Sequence, residues 1–297
     1  MSRRGWLLFA SLCVIWGIPY LLIRIAVREM DPATLVFLRT APAAVLLAPL
    51  AIRRGGLRLL MARWKWVLAY TISEVAAPWL LLFSAETRIS SSLAGLLIAA
   101  VPLMGALIYP FFDHTERLDA RRLLGLCVGF AGVAGVVGLD VRGTSLVAVG
   151  EMVAVALGYT LGPLVISRRL ADLPSIGVIT ASLVLTAVAY TPVGLTHLPA
   201  SLSWQAVASV AGLALVCTAI AFLIFFELIR EVGPARTTVI TYVNPLVAVL
   251  LGVVLLGEPF TVGIAVGLPL IITGSVLATR RSTAAPAAQP VGASPAK

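Results

Sequence analysis

The chain has 297 residues, of which 60% are hydrophobic and 12% are charged, and its mean hydropathy is +1.04. Soluble domains carry about 25% charged residues, so this composition excludes an ordinary soluble protein and leaves no room for a soluble catalytic domain. The formal net charge of +9 does not indicate nucleic-acid binding, because the basic residues lie in short segments beside apolar stretches, where they set membrane orientation.

Ten apolar stretches, each about long enough to cross a bilayer, follow one another along almost the whole chain. The first continues past the length of a signal-peptide core and has no cleavage motif, so we interpret it as a membrane helix, with a signal peptide as the alternative. We predict an all-α integral membrane protein with ten transmembrane helices, at Trp6–Val27, Ala33–Ile52, Trp64–Ser84, Ser91–Phe112, Leu123–Leu139, Leu146–Ile166, Ser175–Gly194, Trp204–Leu228, Thr237–Leu256 and Val262–Thr279.

The distribution of Lys and Arg predicts the orientation. With the N-terminus in the cytoplasm, seventeen basic residues fall in cytoplasmic segments, and only Arg28, Arg88 and Arg142 fall outside. This excess predicts a multi-pass protein of the cell membrane with both termini in the cytoplasm. The tail 282–297 is rich in Ala and Pro, so we expect it to be disordered there.

The two halves of the chain resemble each other. Five stretches in each half mean that the second repeat enters the membrane from the opposite side, as in many secondary transporters, so we predict inverted repeats at 1–140 and 141–281. The alternative is chance, because sequences rich in Gly, Ala and Pro match themselves easily. Residues that recur at a spacing of 142 or 143 are Pro32 and Pro174, Pro102 and Pro245, Glu116 and Glu258, Gly125 and Gly267, and Gly132 and Gly274.

Several short motifs lie in order along this frame, over residues of about 6 to 280. They are Trp16-Gly17 with Pro19-Tyr20, Phe37-Leu38-Arg39, the membrane prolines Pro102 and Pro245, Leu256-Gly257-Glu258-Pro259, and the small residues of Gly267–Gly274. In this order they resemble the EamA-type transporters of the drug/metabolite transporter superfamily. The first half departs from the family pattern at Thr115-Glu116-Arg117, which lacks the Gly that precedes the acidic residue in the second half.

This resemblance implies a basket of five plus five helices that moves small metabolites across the membrane by alternating access. It does not imply one substrate, because the family includes transporters of amino acids, nucleosides, drugs and sugar derivatives. Small residues in the fifth stretch, Gly125, Gly129, Gly132 and Gly135, are expected to allow close helix contact.

Two ionisable residues lie deep within the apolar stretches, where a charge costs about 2.5–3.5 kcal/mol. Glu74 is about ten residues into the third stretch, so it lies roughly 15 Å deep. We hypothesise that it lines the central path and either couples protons or binds a cationic group. Arg39 lies on the second stretch, where its planar guanidinium would capture a substrate carboxylate. The structural alternatives are an ion pair between Arg39 and Glu74, or snorkelling of Arg39 to the interface.

Aromatic residues within the stretches are the next candidates for the substrate site. Trp16 and Tyr20 are four residues apart and would share a helix face, and Trp79, Tyr159 and Tyr242 also lie away from the interfacial belts. Together they would form a stacking wall for an aromatic or amphipathic substrate. Ordinary helix packing is the alternative.

Prolines in two equivalent stretches complete the set. Pro102 and Pro245 each remove a backbone hydrogen bond in mid-membrane, so they are candidate hinges, and Asn244 adds a donor and an acceptor beside the freed backbone. Packing kinks without substrate contact are the alternative.

The sequence predicts a secondary transporter with a small-molecule substrate that is amino-acid-like or amphipathic and drug-like, working by export with protons as the coupling ion. We expect no catalytic residue, metal or cofactor, since the chain has no phosphate-binding loop and no Asp-rich metal motif. A membrane-embedded enzyme for lipid or prenyl substrates is the alternative. A scaffold and a channel are further ones, and both a monomer and a homodimer fit the sequence.

Overall fold

The computed structural model describes residues 1–112, 119–139 and 145–279, and within these ranges it contains helices and short connections but no strand. Nine helices in this part of the chain are long and apolar enough to cross a membrane, and a tenth apolar helix is shorter. They are α1 (Arg3–Ala26), α2 (Pro32–Arg54), α3 (Trp64–Glu86), α4 (Ser91–Phe112), α5 (Ala120–Leu139), α6 (Leu146–Leu170), α7 (Ser175–Thr196), α8 (Trp204–Val232), the shorter α9 (Ile240–Leu256) and α10 (Val262–Thr279).

Polar caps decide where these helices begin. Ser2 Oγ accepts from the Gly5 amide at 2.9 Å, so α1 begins three residues before the apolar stretch does. Asp31 Oδ1 accepts from the Ala33 amide at 2.8 Å at the start of α2, and Ser203 Oγ accepts from the Ala206 amide at 3.2 Å at the start of α8. Each cap satisfies a backbone donor that the helix itself leaves free.

Helix ends depend on glycine. Gly55 and Gly233 follow α2 and α8 with φ of +73° and +82°, and Gly257 follows α9 with φ of +66°. Residues with a Cβ rarely adopt this left-handed region, so these glycines end the helices at low cost. After Gly233 comes a short helix, Pro234–Thr237, and α9 begins only at Ile240, which makes it shorter than the sequence predicts.

Several pairs of long helices pack extensively, among them α2 with α7, α5 with α10, α4 with α9, α3 with α6, and α1 with α8. We call the end of the molecule that holds Arg3 and Thr279 the terminal face and the other end the opposite face. Ion pairs join α1 to α8 at the terminal face, where Arg4 lies 3.1 Å from Glu227 and 3.9 Å from Glu231. Glu86 and Glu258 lie at the opposite face.

Glycines allow the closest of these helix contacts. A Cβ on Gly125 of α5 would lie 2.5 Å from the backbone nitrogen of Ala278 in α10, and one on Gly132 would lie 2.8 Å from Leu270 Cβ. The expectation that small residues in the fifth stretch permit close contact is confirmed for these two, whereas a Cβ on Gly135 would meet nothing within 4 Å.

The all-helical architecture and the apolar helices are confirmed. The arrangement as ten transmembrane helices in two inverted repeats of five stays a prediction, and so do the repeat boundaries. The predicted disordered tail 282–297 and the Glu116 motif of the first half lie outside the described residues.

Candidate functional site

Arg39 is the most buried basic residue among those described, with only 6% of its surface exposed. It lies seven residues into α2, and its guanidinium stacks 3.7 Å above the ring of Trp79 on α3. Its Nε donates to Thr218 Oγ1 on α8 at 3.0 Å. Stacking and one neutral hydrogen bond hold the planar group in place, while its charge has no ion-pair partner among the described residues.

Glu74 lies near the middle of α3, in a stretch of π-helix at Thr71–Ala76. Two glycines of α6 let this stretch approach closely: a Cβ on Gly158 would strike the carbonyl of Ser73, and one on Gly162 would strike the Glu74 carboxylate. Glu74 Oε2 is buried and has no hydrogen-bond partner in the part of the chain that the structure describes. The structure therefore holds an unsatisfied carboxylate oxygen between two helices, which is a costly arrangement in an apolar medium.

Three tyrosines interact electrostatically with these two charged residues. Tyr159 of α6 interacts with both Glu74 and Arg39, Tyr20 of α1 interacts with Arg39 and Tyr159, and Tyr70 of α3 interacts with Glu74. We call Arg39, Glu74, Trp79, Tyr20 and Tyr159 the central cluster. All five were predicted from the sequence, out of eight candidate binding or coupling residues. They come from α1, α2, α3 and α6, and Thr218, which bonds Arg39, adds α8.

Two of the helices in this region contain π-helical segments at the repeat spacing. Thr71–Ala76 of α3 carries Glu74, and Gly212–Ile220 of α8 carries Thr218. A shift of 142 positions places the first segment inside the second. In the α8 segment, Thr218 Oγ1 donates to the Leu213 carbonyl five residues earlier at 2.8 Å, which leaves its oxygen free to accept from Arg39. Such π-helical turns occur often at functional sites.

The other predicted binding residues lie outside the central cluster. Trp16 packs on α8, with its ring 5.0 Å from Phe225 and 6.1 Å from Phe222. Tyr242 lies at the terminal face, where its hydroxyl is 2.6 Å from Thr279 Oγ1. The Asn244 amide group, oriented to donate, bonds the carbonyls of Cys13 and Ile240 at 3.1 Å each. Asn244 therefore joins α9 to α1.

The two candidate hinge prolines have different surroundings. Pro102 follows a turn at Ala99–Ala100 that divides α4 into Ser91–Ile98 and Val101–Phe112. Ser275 Oγ of α10 donates to the Ala99 carbonyl at 3.1 Å, and so satisfies a backbone group beside the break. Pro245 is buried inside α9, which is continuous from Ile240 to Leu256. Only the α4 proline therefore lies at an interruption.

Glu86 is a buried carboxylate that the sequence analysis missed. It is the last residue of α3, it has 0% exposed surface, and neither carboxylate oxygen has a hydrogen-bond partner among the described residues. Arg24 of α1, which the sequence places near a membrane end, donates to the backbone carbonyl of Glu86 and not to its carboxylate. A second unsatisfied carboxylate therefore lies on the same helix, twelve residues beyond Glu74.

The acidic residue of the Leu256-Gly257-Glu258 motif has the opposite surroundings. Glu258 Oε1 accepts from the Ser91 amide at 2.8 Å and its hydroxyl at 3.0 Å, and Oε2 accepts from the Ser92 amide at 2.9 Å and its hydroxyl at 2.5 Å. These residues form the first turn of α4, whose partial positive charge favours a carboxylate. The motif glutamate is therefore a helix cap that links the two halves of the chain.

The described residues contain no group of three or more His, Cys, Asp and Glu side chains placed to hold a metal ion. The central cluster has a cation, a carboxylate and aromatic rings, but no nucleophile paired with a base. Such a set binds charged and aromatic groups through stacking, cation–π contacts and charge pairing. This arrangement suits recognition of a small molecule in a water-poor interior.

Comparison with known proteins gives a family match over both halves of the chain. A model described as the EamA-like transporter family matches residues 3–138 and 147–280. A solved crystal structure superposes with a TM-score of 0.65 at 22% identity, covering 94% of this chain and 97% of the other, which shows a shared fold.

Curated relatives match over nearly their full lengths. The chain is 30% identical to the uncharacterized inner membrane transporter YedA of Escherichia coli, over 91% of this chain and 88% of that protein. It is 25% identical to the uncharacterized transporter YvbV of Bacillus subtilis, over 97% and 95%, and 26% identical to an uncharacterized transporter of Archaeoglobus fulgidus, over 94% and 99%.

Proposed function

The chain belongs to the EamA-like transporter family, and from this premise we propose that it exports small organic metabolites across the cell membrane by alternating access. The observation that carries the proposal is the central cluster. Within the described ranges, it places an arginine without an ion-pair partner and a carboxylate with an unsatisfied oxygen inside apolar helices, where an uncompensated charge is unfavourable unless it binds a ligand or a proton. The relatives are named as transporters, which favours transport over an enzyme acting on lipid or prenyl substrates.

The proposed architecture is ten transmembrane helices in two inverted repeats of five, 1–140 and 141–281. Exchange of the two halves turns helix one into helix six, two into seven, and so on. The packing pairs α2–α7, α4–α9 and α5–α10 each join equivalent helices, and α3–α6 becomes α8–α1 under the same exchange. This self-consistent pairing supports the repeat, and so do the π-helical segments at equivalent positions in α3 and α8.

The proposed substrate is amino-acid-like or amphipathic, with a carboxylate that binds Arg39 and an apolar or aromatic part that stacks on the rings around it. A guanidinium that already stacks on Trp79 has its remaining nitrogens free to form two parallel bonds to a carboxylate. The buried ring of Tyr20 and the partly buried ring of Tyr159 provide the apolar side of the site. Trp16, Tyr242 and Asn244 have partners elsewhere, and we propose helix packing as their role.

The proposed coupling ion is the proton, carried by Glu74. The protein can change between its outward-open and inward-open conformations at lower cost when a proton neutralises the carboxylate, because the interior has a low dielectric constant. In export, a proton taken up from outside would move inward on Glu74 while the substrate moves outward. The interruption of α4 before Pro102 supports a hinge there, because the broken helix can bend without losing further backbone hydrogen bonds.

The experiment uses liposomes that contain the purified full-length chain and a mixed metabolite extract, with protein-free liposomes beside them. Mass spectrometry identifies which compounds leave. Selective loss of one chemical class is the expected result and names the substrate class. Release of nothing by folded protein under an imposed proton gradient, from extracts and from a panel of amphipathic drugs, would contradict transport.

The coupling role is then tested on that substrate. Glu74→Gln keeps the shape of the side chain but cannot exchange a proton, so we expect it to abolish the pH dependence of transport. Glu227→Gln is the matched control, since Glu227 lies at the terminal face in ion pairs with Arg4 and Arg230. An unchanged pH profile in Glu74→Gln would show that the proton is carried elsewhere, with Glu86→Gln as the next variant to measure.

A further inference from the structure

A basic cleft at the terminal face is separate from the central cluster. It has a volume of about 530 Å³ and is lined by Ala62, Arg63, Trp64, Lys65, Trp66, Arg168 and Arg169. The first five residues come from the start of α3 and the segment before it, and the two arginines come from the end of α6. Four of the seven lining side chains are therefore cationic, and none is acidic.

Neighbouring groups hold the cations of the basic cleft in place. Arg63 pairs with Asp172 at 2.5 Å and also donates to the Arg169 carbonyl at 2.7 Å. The Arg169 guanidinium lies 4.5 Å from the centre of the Trp66 ring, and the Lys65 ammonium lies 5.8 Å from that of Trp64. Asp172 therefore already neutralises the charge of Arg63, and the bond from Arg63 to the Arg169 carbonyl positions the backbone that carries Arg168 and Arg169.

Three cations of the basic cleft have no carboxylate partner among the described residues: Lys65, Arg168 and Arg169. Arg168 donates to the Phe112 carbonyl, which uses one of its donors and leaves its charge uncompensated. Both arginines lie on a π-helical segment, Ile166–Leu170, and are exposed side by side. Three uncompensated positive charges around one cleft favour an anionic ligand with several oxygen acceptors, such as a phosphate diester or monoester.

Exposed apolar side chains surround this charge, and they distinguish a lipid from a soluble phosphate. Trp64 and Trp66 line the cleft and are 56% and 40% exposed. The end of α4 and the short helix Leu57–Ala62, which precedes α3, present further exposed apolar groups: Leu59, Met61, Phe111 and Phe112. A soluble anion would leave these groups uncovered, whereas a lipid would cover them with its acyl chains while its headgroup fills the cleft. Tryptophan and basic side chains together are also typical of the membrane–water interface.

We propose that the basic cleft binds the headgroup phosphate of an anionic phospholipid, such as phosphatidylglycerol. The phosphate oxygens bond Arg168, Arg169 and Lys65, and the acyl chains lie along the exposed apolar side chains of α3 and α4. The bound lipid connects the start of α3 to the end of α6. Since these two helices hold Glu74 between them, the lipid would stabilise the same helix pair that forms one wall of the central cluster.

The test measures lipid retention by the purified full-length chain in neutral detergent, by native mass spectrometry. The probes are phosphatidylglycerol, phosphatidylcholine with the same acyl chains, and soluble glycerol phosphate as a competitor. The cleft variant is Lys65→Gln/Arg168→Gln/Arg169→Gln. The matched control is Arg53→Gln/Arg54→Gln/Arg58→Gln, which removes three exposed basic residues of the same face outside the cleft.

We expect the cleft variant to bind phosphatidylglycerol about a hundredfold more weakly, since three basic side chains that contact the headgroup phosphate contribute about fivefold each. The control variant should change by less than twofold. If the triple variant does not fold, Arg169→Gln alone should still weaken binding by about fivefold. Equal losses in the cleft and control variants would overturn the proposal, and so would equal retention of phosphatidylcholine. Displacement of the lipid by glycerol phosphate at matched concentration would overturn the proposal that the ligand is a lipid, and it would indicate that the cleft binds a soluble phosphate ester.

Discussion

Two glutamates of this chain show opposite ways of placing a carboxylate within a helical membrane protein. Glu258 receives four hydrogen bonds from two consecutive serines, Ser91 and Ser92, at the start of α4. Glu74 lies within a π-helical turn of α3, and its Oε2 has no hydrogen-bond partner among the described residues. The residue type is the same, but the two carboxylates differ in their depth along the helices and in the hydrogen-bond donors around them.

The difference separates structural from functional roles. A carboxylate at a helix N-terminus with every acceptor used is stable as it is, and binding anything else would require breaking those bonds. A carboxylate with a free, buried oxygen gains from a proton, a cation or a hydrogen-bond donor that enters its site. We therefore propose that Glu258 contributes to folding, whereas Glu74 interacts with a proton or ligand that enters the central cluster. Glu86, with two unsatisfied oxygens, belongs with Glu74.

The largest expected effect on folding comes from removal of the satisfied carboxylate. Glu258→Ala leaves the two amides and two hydroxyls of Ser91 and Ser92 without their acceptor, so we expect the free energy of unfolding to fall by about 3 kcal/mol. Thermal unfolding in detergent micelles measures this. The comparison variant is Glu74→Ala, which removes a carboxylate without a partner for Oε2 and should change the free energy of unfolding by less than about 1 kcal/mol.

This pair of variants tests the comparison directly. If Glu74→Ala destabilised the fold as much as Glu258→Ala, then Glu74 would have a structural partner, and its role in coupling would lose its main support. If Glu258→Ala were neutral, the bonds to α4 would contribute nothing, and the motif glutamate would need another explanation.

A second, smaller effect concerns the position of Glu74. A Cβ at Gly162 would lie 3.0 Å from Glu74 Cβ and would strike its carboxylate, so Gly162→Ala must push α3 away from α6 or turn the Glu74 side chain. Overpacking of this kind costs about 1–3 kcal/mol. We expect a loss of about 2 kcal/mol in the free energy of unfolding, together with a loss of transport, because the Glu74 carboxylate leaves its position against Gly162.

The same helix offers a matched control for this substitution. A Cβ at Gly150 of α6 would meet nothing within 4 Å, so Gly150→Ala should stabilise the helix by up to about 1 kcal/mol. Equal results for Gly150→Ala and Gly162→Ala would indicate that α3 and α6 do not approach as closely as the structure has them.

Much of this fold could be predicted from the sequence because helices in an apolar environment are dictated by length and composition. Arg39 and Glu74 could be identified for the same reason, since a charge inside an apolar stretch is conspicuous. Thr218 could not be, because a threonine in an apolar helix normally bonds its own backbone, and only the packing of α2 on α8 shows that it also holds Arg39.

Trp16 and Glu86 are the two residues whose surroundings residue spacing and hydropathy do not predict. Trp16 and Tyr20 are four apart and were expected to share a face, but α1 is interrupted at Ile18, because Pro19 supplies no backbone donor. Tyr20 therefore lies in the central cluster with Arg39, while Trp16 packs on Phe222 and Phe225.

Glu86 was missed because the predicted stretch ends at Ser84. The helix continues for two residues, and neighbouring helices bury this last turn.

The smallest expected effect separates hydrogen bonding from burial, and it uses a third carboxylate, Glu29, between α1 and α2. Its oxygens accept from the Ser203 hydroxyl at 2.5 Å and the Ser203 amide at 2.8 Å, much as Glu258 binds its serines, but Glu29 is fully exposed. These bonds, first the one from the hydroxyl and then the one from the amide, hold the pKa of Glu29 below its usual value.

Because the folded-state pKa is the lower one, Glu29 contributes stability above its unfolded-state pKa and loses it as the pH falls through the folded-state value. We expect Glu29→Gln to lower the unfolding temperature slightly at neutral pH, and the difference from the unsubstituted chain to vanish in acid, below the usual carboxyl range. Thermal unfolding across that range measures it. A loss as large as that of Glu258→Gln, the same substitution at the other cap, would mean that donors alone decide the strength of such a cap, whereas a smaller loss at Glu29 assigns most of the strength at Glu258 to its shielding from water.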